Sequence, residues 1–323
     1  MQDAEKFLKR LLESNSQGLF PTYAGLPTFM RMPFYQNPSE LDIALVGVAF
    51  DGGVTSRPGA RHGPREIRNQ SSLLGFQNHQ SHIIPYIDCC VGDVGDVPIT
   101  QFYNLEEAIQ EIELFYKNLK KEQVIPITAG GDHSISFPIL KALGAEQPVA
   151  LIHIDAHCDT APEIRGSKFQ HGSPFHNAVE AGVLDPKRTI QIGIRGPSEF
   201  HWDFSYSSGM CVIHIEEFRE LGLKAVIEKA RAIVGDAPTY ISFDIDAIDP
   251  AFAPGTGTPE VGGLTSFEGQ QLIRGMQGLN LIGADIVEVS PPWDPGYCTA
   301  LLGATLMFEL LCVVSEAFRN RKA

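Results

Sequence analysis

Apolar residues along this chain fall into short runs separated by stretches with helical spacing. Runs of strand length occupy residues 42–50, 123–128, 149–154, 189–194, 211–215, 239–243 and 281–287, and an eighth is expected near 87–91. Several are apolar throughout and rich in valine and isoleucine, the pattern of parallel strands covered on both faces. Between them, residues 105–120, 221–234 and 266–275 place apolar side chains at helical spacing, and 299–318 reads as a long apolar helix packed on the sheet. No internal repeat, low-complexity tract or Pro/Gly/Ser-rich linker divides the 323 residues. The alternation predicts one three-layer α/β domain over residues 41–323, a mostly parallel sheet with helices on both faces. Residues 1–40 fit no such pattern, and 21–33 are expected to form an N-terminal arm that wraps the surface or lines a subunit contact.

The formal charge of −14 argues against a general nucleic-acid binder, which needs a basic face. It fits a solvated acidic surface, or a field that draws in cationic small molecules. Cys89, Cys90, Cys158, Cys211, Cys298 and Cys312 form no CxxC pair and no regular framework, so they read as free thiols of a cytoplasmic protein. The first residues carry charges where a secretion signal is apolar, and no uninterrupted apolar run has membrane-spanning length, so no membrane span is expected.

The residues with chemical potential follow strands. The run 149–154 leads straight into DAHCD, which sets Asp155, His157 and Asp159 at i, i+2 and i+4. On extended backbone these three share a face. The run 239–243 leads into DIDAID, with Asp244 and Asp246, and 123–128 leads into AGGDHS, with His133 just past the strand. Three strand ends thus offer two histidines and four aspartates where open α/β sheets bind ligands. Four adjacent carboxylates repel one another unless cations intervene. Two divalent ions balance that charge, and mixed carboxylate and imidazole ligands suit Mn²⁺, with Ni²⁺, Co²⁺, Fe²⁺ or Zn²⁺ also accommodated. A single Asp-x-Asp or a lone histidine is by itself a turn, a cap or a core residue; three such segments in order point to a metal centre. Asp132 reads as a loop cap and Asp249 as a turn residue before Pro250. The segment PGTGTPEVGG at 254–263 lacks the lysine of a phosphate loop and reads as a rigid pocket wall. Arg57, Arg61, Arg65 and Arg68 read as solvated arginines at a capped helix start.

GGDHS, DAHCD and SFDIDAIDPAFAPGTGTPEVGGLT resemble the three signature segments of the ureohydrolase family, which includes arginase, agmatinase and the guanidino-acid hydrolases. The resemblance runs in order from about residue 21 to residue 311. AGLPTFMRMP, DGGVTSRPGARHGPREIR and EVSPPWD look like its agmatinase-like branch. The resemblance implies an arginase-type fold with an eight-stranded sheet, a trimer or hexamer, and metal-dependent hydrolysis of a guanidino compound to urea and an amine. By position it implies one metal held by His133, Asp155, Asp159 and Asp244, and a second held by Asp155, His157, Asp244 and Asp246. It also implies that His171, in HGSPF, shuttles a proton, that Glu288, in EVSPP, pairs with the guanidinium, and that Asp159 holds the attacking hydroxide in line.

Agmatine is the first substrate the resemblance suggests, followed by 4-guanidinobutyrate, 3-guanidinopropionate and free guanidine. In the loop after DAHCD, Arg165 and Lys168 would attract a carboxylate tail and Glu163 an amine. Three positions depart from the family pattern. Cys158 stands where serine or threonine is usual, and is expected to point away from the metals while making the site sensitive to oxidation or soft metals. Trp293 replaces a smaller aromatic ring and is expected to narrow the pocket. Ala161 stands where arginases carry an asparagine that reads the amino-acid end of arginine, which argues against arginase activity. Two other classes remain as rivals. A metal-dependent deacetylase needs one metal and is disfavoured by the six-ligand set. A non-catalytic metal-binding partner subunit is disfavoured by the presence of both His171 and Glu288.

Overall fold

Eight strands form in the computed structural model, which describes residues 21–163, 166–196 and 199–322. They are β1 (Ile43–Gly47), β2 (Val91–Asp96), β3 (Ile125–Ala129), β4 (Val149–Ile154), β5 (Leu184–Ile194), β6 (Cys211–His214), β7 (Thr239–Asp244) and β8 (Leu281–Val287). They join in the order β2-β1-β3-β8-β7-β4-β5-β6, and every strand pairing is parallel. The helices are α1 (Gly63–Ser71), α2 (Leu105–Lys121), α3 (Ser136–Leu143), α4 (Pro174–Glu180), α5 (Glu199–Ser208), α6 (Ile215–Leu221), α7 (Leu223–Val234), α8 (Ser266–Arg274) and α9 (Cys298–Lys322), with one further helical turn at Pro85–Asp88.

Alternation along each strand divides the core in two. Ile43, Leu45, Ile127, Ile152, Ile241 and Ile286 face the helices α1, α7, α8 and α9. Ala44, Val46, Leu151, Tyr240 and Val287 face α2, α3 and α4. Burial on both sides explains why these strands read as continuous apolar runs rather than alternating ones. Each buried aliphatic side chain contributes about 1.5–3 kcal/mol relative to exposure. Helix α9 has the length and hydropathy to cross a membrane, but most of its apolar window is buried inside the fold against β8, α1 and α8, where it serves as a core helix.

Strand ends shift, β5 starting at Leu184 rather than 189 and β1 ending at Gly47 rather than 50, and two elements differ more deeply from the sequence reading. The eighth strand lies at Val91–Asp96 rather than 87–91, because Pro85–Asp88 closes a helical turn. VGDVGD is a poor strand sequence, tolerated at the sheet edge and held in place from outside. Asp93 accepts the Phe29 backbone N–H at 2.8 Å and the Arg68 Nε–H at 2.9 Å. Residues 215–221 form a separate helix, because Gly222 takes φ 79° and lets the chain restart as α7. Residues 1–20 lie outside the described residues; within 21–40, Phe29, Met30 and Met32 enter the core, where Phe29 and Met30 pack beside α1.

The sheet order matters for function. The neighbouring central strands β3, β8, β7 and β4 carry, at or just past their carboxyl ends, His133, Glu288, Asp244 and Asp155 respectively. Strand order brings residues up to 155 positions apart in sequence to one end of the sheet.

Candidate metal centre

The three acidic segments converge through turns, not through continued extension. After β4 the chain bends, and Asp155 Oδ1 accepts the His157 backbone N–H at 2.7 Å. After β7, residues Ile245–Ala247 close a 3₁₀ turn in which Asp244 Oδ1 accepts the Asp246 N–H at 2.8 Å. Asp159 takes φ 51° and Glu288 φ 63°, both in the left-handed region that non-glycine residues rarely enter. Such backbone persists where the surroundings enforce it, commonly at functional sites. Gly131, just before the turn that carries His133, has no room for a side chain: a Cβ there would lie 1.6 Å from the Phe50 carbonyl oxygen.

His133 Nδ1 lies 3.2 Å from Asp155 Oδ2, 2.9 Å from Asp159 Oδ2 and 3.2 Å from Asp244 Oδ2. Its other nitrogen, Nε2, is 2.9 Å from Ser242 Oγ, and that hydroxyl donates its proton to Asp285 Oδ1 at 2.7 Å. Ser242 must therefore accept from Nε2–H, which leaves the Nδ1 lone pair facing three carboxylates. Four electron-rich atoms so arranged require positive charge among them. Protons can supply it: burial disfavours charge on His133, yet the carboxylates hold its pKa well above the ordinary value. Burial, then Asp246 and Asp155, likewise drive Asp244 well above the usual carboxylate range. A divalent cation supplies the same charge with better geometry, so the donor set fits a metal ion.

A second cluster adjoins the first. His157 Nδ1 lies 3.1 Å from Asp246 Oδ2 and 3.5 Å from Asp155 Oδ1. Asp155 belongs to both clusters, so the two candidate sites share a carboxylate. Asp244 falls in the His133 cluster. Gly196 packs against the His157 ring, where a Cβ would sit 2.3 Å from Cδ2. Arg195 pins this wall, donating to the carbonyls of Asp246 at 2.8 Å and Glu260 at 2.6 Å.

His153 was hidden in the apolar run of β4 and is the main addition. It is fully buried, with Nε2 2.7 Å from Asp155 Oδ2. The Gln191 amide lies 3.0 Å from His153 Nδ1 and donates to it, so Nε2 carries the proton and braces the shared carboxylate. Its position two residues before Asp155 was the available signal.

Beside the clusters, Glu288 Oε1 accepts the His133 backbone N–H at 3.0 Å and lies 2.9 Å from His171 Nδ1. Glu288 is buried, and its Oε2 has no partner. His171 Nε2 lies 2.8 Å from Thr55 Oγ1 and receives the Thr55 backbone N–H at 3.2 Å. Burial works against charge on His171, but Glu288, then Asp159 and Asp132, hold its pKa up at about 9. Thr55 and His171 border a cavity of about 430 Å³ lined also by Asp159, Asp244, Asp246 and the wall segment with Glu260.

The remaining sequence expectations fall out as follows. Asp132 caps the His133 turn, accepting from Ser134 N and Gly53 N, and Asp249 staples its loop through Ala251, Gly262 and Gly263. Arg68 is not solvated but buried, paired with Asp93 and Asp96. Glu163 and Lys168 are exposed and do not line the cavity; Arg165 lies outside the described residues. Trp293 sits beyond the cavity lining and carries Arg57 over its ring, 5.0 Å from the centroid.

Cys158 is buried among Ile194, Val212 and Trp202, and also belongs to the cavity lining beside His157 and Asp159. Its burial pushes the thiol up to about 12, which disfavours the reactive thiolate. Alkylating reagents are expected to label exposed Cys298 first and Cys158 only after unfolding. Mass spectrometry of native and denatured protein checks this, and rapid native labelling of Cys158 would contradict it.

The chain is similar to several known proteins. The chain is 52% identical over 300 residues to guanidinopropionase from Pseudomonas aeruginosa, covering 92% of this chain and 94% of that protein. It is 46% identical to the mitochondrial guanidino acid hydrolase of Homo sapiens, covering 90% of this chain and 84% of that one. Among solved structures, proclavaminate amidino hydrolase from Streptomyces clavuligerus superposes with a TM-score of 0.89 at 38% identity, over 92% of this chain and 100% of that one. Residues 41–312 match the arginase family as a whole, and on these grounds the chain belongs to that family, with the binuclear metal site and the C–N bond hydrolysis of linear amidines that characterise it.

Proposed function

We propose that the protein hydrolyses a linear guanidino compound to urea and an amine, with His133, Asp155, His157, Asp159, Asp244 and Asp246 holding two divalent ions. The observation that carries this is His133 Nδ1 set among three carboxylate oxygens, next to a buried glutamate with one free oxygen. Two cations bound there would supply hydroxide near neutral pH by lowering the pKa of water.

The chain's own groups do the rest. Glu288 Oε2 takes the guanidinium and balances its charge, while Oε1 keeps His133 and His171 in place. Asp159 accepts a hydrogen bond from the attacking oxygen and holds it in line. His171 Nε2, the acceptor for Thr55 N–H, takes up the proton released by the attacking water and delivers it to the departing amine nitrogen, while Nδ1 stays on Glu288. Mn²⁺ is the proposed ion, supported by the mixed carboxylate and imidazole set. A homo-oligomer of three or six chains and a cytoplasmic location are proposed with it; the six free cysteines suit a reducing compartment.

Two substrate tails are carried forward. A carboxylate tail, as in 3-guanidinopropionate or 4-guanidinobutyrate, is supported by the names of the relatives described above. An ammonium tail, as in agmatine, is supported by the Glu260 carboxylate in the cavity wall. The test is urea release from Mn²⁺-loaded and Ni²⁺-loaded protein with agmatine, 4-guanidinobutyrate, 3-guanidinopropionate, arginine and guanidine. One linear substrate other than arginine is expected to stand well above the rest. No urea from any of them, with two metals shown bound, would sink the proposed reaction and favour a partner-subunit role.

A further inference from the structure

The cavity beside Glu288 carries two donors that nothing among the described residues satisfies. Gln170 is only 8% exposed and lines the cavity. Its Oε1 accepts the Gly172 N–H at 2.8 Å, and an amide nitrogen cannot take over that role, so the orientation of the amide is fixed. Nε2 is left buried without a partner. Buried amide donors are nearly always paired, and the exceptions call for a missing ligand or water.

The second donor is Arg57, also in the cavity lining. Its neighbours in the basic run are occupied: Arg61 pairs with Asp51, and Arg68 with Asp93 and Asp96. Arg57 instead lies over Trp293, whose indole is fixed by donating to the Pro58 carbonyl at 3.1 Å. That stacking holds the guanidinium at the rim without neutralising it. The opposing charge in the wall, Glu260, lies 3.7 Å from His157 Nε2 and is directed towards that ring.

We propose that Gln170 and Arg57 form a subsite for the carboxylate tail of the substrate, which makes the preferred class ω-guanidino carboxylic acids. The proposal rests on the amidinohydrolase reading of the neighbouring metal centre. A carboxylate offers only acceptors and satisfies both an amide N–H and an arginine fork; an ammonium tail offers only donors and meets two more donors here.

The measurement is the ratio of kcat/KM for 3-guanidinopropionate or 4-guanidinobutyrate, whichever is faster, to that for agmatine. The wild-type ratio is expected to favour the acid. Gln170→Glu keeps an oxygen for Gly172 N–H but turns the free donor into a negative acceptor, and is expected to lower the ratio about a hundredfold. Arg57→Met keeps an apolar stem against Trp293 and is expected to lower it about tenfold, chiefly through KM, with Arg57→Lys intermediate. Equal loss on both substrates in Gln170→Glu and Arg57→Met would mean a purely structural role and overturn the subsite. A wild-type preference for agmatine would overturn it as well, while leaving the reaction standing. Urea from none of the three substrates would instead defeat the amidinohydrolase reading itself.

Discussion

Asp246→Asn is expected to fold, to lose one of two bound metal ions, and to lose turnover by at least about a thousandfold. Asp246 Oδ2 is the carboxylate oxygen facing His157 Nδ1, at 3.1 Å, so neutralising it removes the charge that completes the second cluster. Asparagine retains an oxygen for the Ala156 N–H that Asp246 Oδ1 accepts at 3.1 Å, so the backbone of the metal loop keeps its partner. The same substitution is expected to reverse sign with metal content. In the metal-free protein, burial, then Asp155, pushes the Asp246 carboxyl up to about 6. A carboxyl raised in the folded state adds stability below its unfolded value, and that stability is lost as pH rises through 6. At pH 8 without metal the ionised group therefore opposes folding, and Asp246→Asn melts above the wild type. With metal bound the order inverts, because the wild type gains binding energy from two ions. Metal counts by mass spectrometry and melting curves with and without chelator read both effects. Two ions retained at wild-type affinity would remove Asp246 from the ligand set.

The sheet was legible because double-sided burial writes long aliphatic runs, and β4 and β8 were located residue for residue. Strand β2 was misplaced because VGDVGD earns its strand from Arg68, Phe29 and the edge position rather than from its own side chains. The candidate ligands were legible as a set, but the reason given for their convergence was local and incomplete. Extended backbone does not carry Asp155, His157 and Asp159 to one point; bends, side-chain-capped turns and a left-handed Asp159 do. What spacing cannot show is the layer behind the ligands. His153 and Gln191 are paired across β4 and β5, and Ser242 and Asp285 across β7 and β8, so each brace exists only once strand order is known. Gln170 was passed over for a similar reason: an unpaired amide nitrogen is a property of the packed structure, not of a glutamine in a sequence.

Glu288→Gln should separate substrate charge from metal binding. Both ions are expected to remain, since Glu288 belongs to neither cluster of candidate ligands. The amide oxygen can replace Oε1, which holds His133 N–H at 3.0 Å and His171 Nδ1 at 2.9 Å. The amide NH₂ must then occupy the place of Oε2, a buried carboxylate oxygen left without a partner among the described residues, and present a donor to a cation. Turning the amide over frees an acceptor for the guanidinium only by taking it from His133 and His171, so no rotamer rescues the site. Removing one partner of a buried charge pair costs about 3–5 kcal/mol, or roughly two to four powers of ten in kcat/KM. Inhibition by guanidinium chloride should weaken in parallel. A second effect follows from His171, whose pKa of about 9 is sustained against burial first of all by Glu288. Without that charge the imidazolium loses its proton at lower pH, and the alkaline limb of the rate profile should move down. His171→Asn is the contrasting variant: it removes the proton carrier, so kcat falls while guanidinium inhibition stays near the wild-type level. If Glu288→Gln bound guanidinium as tightly as the wild type and matched His171→Asn in every other respect, Glu288 would act only by positioning His171, and the charge-pairing role would be wrong.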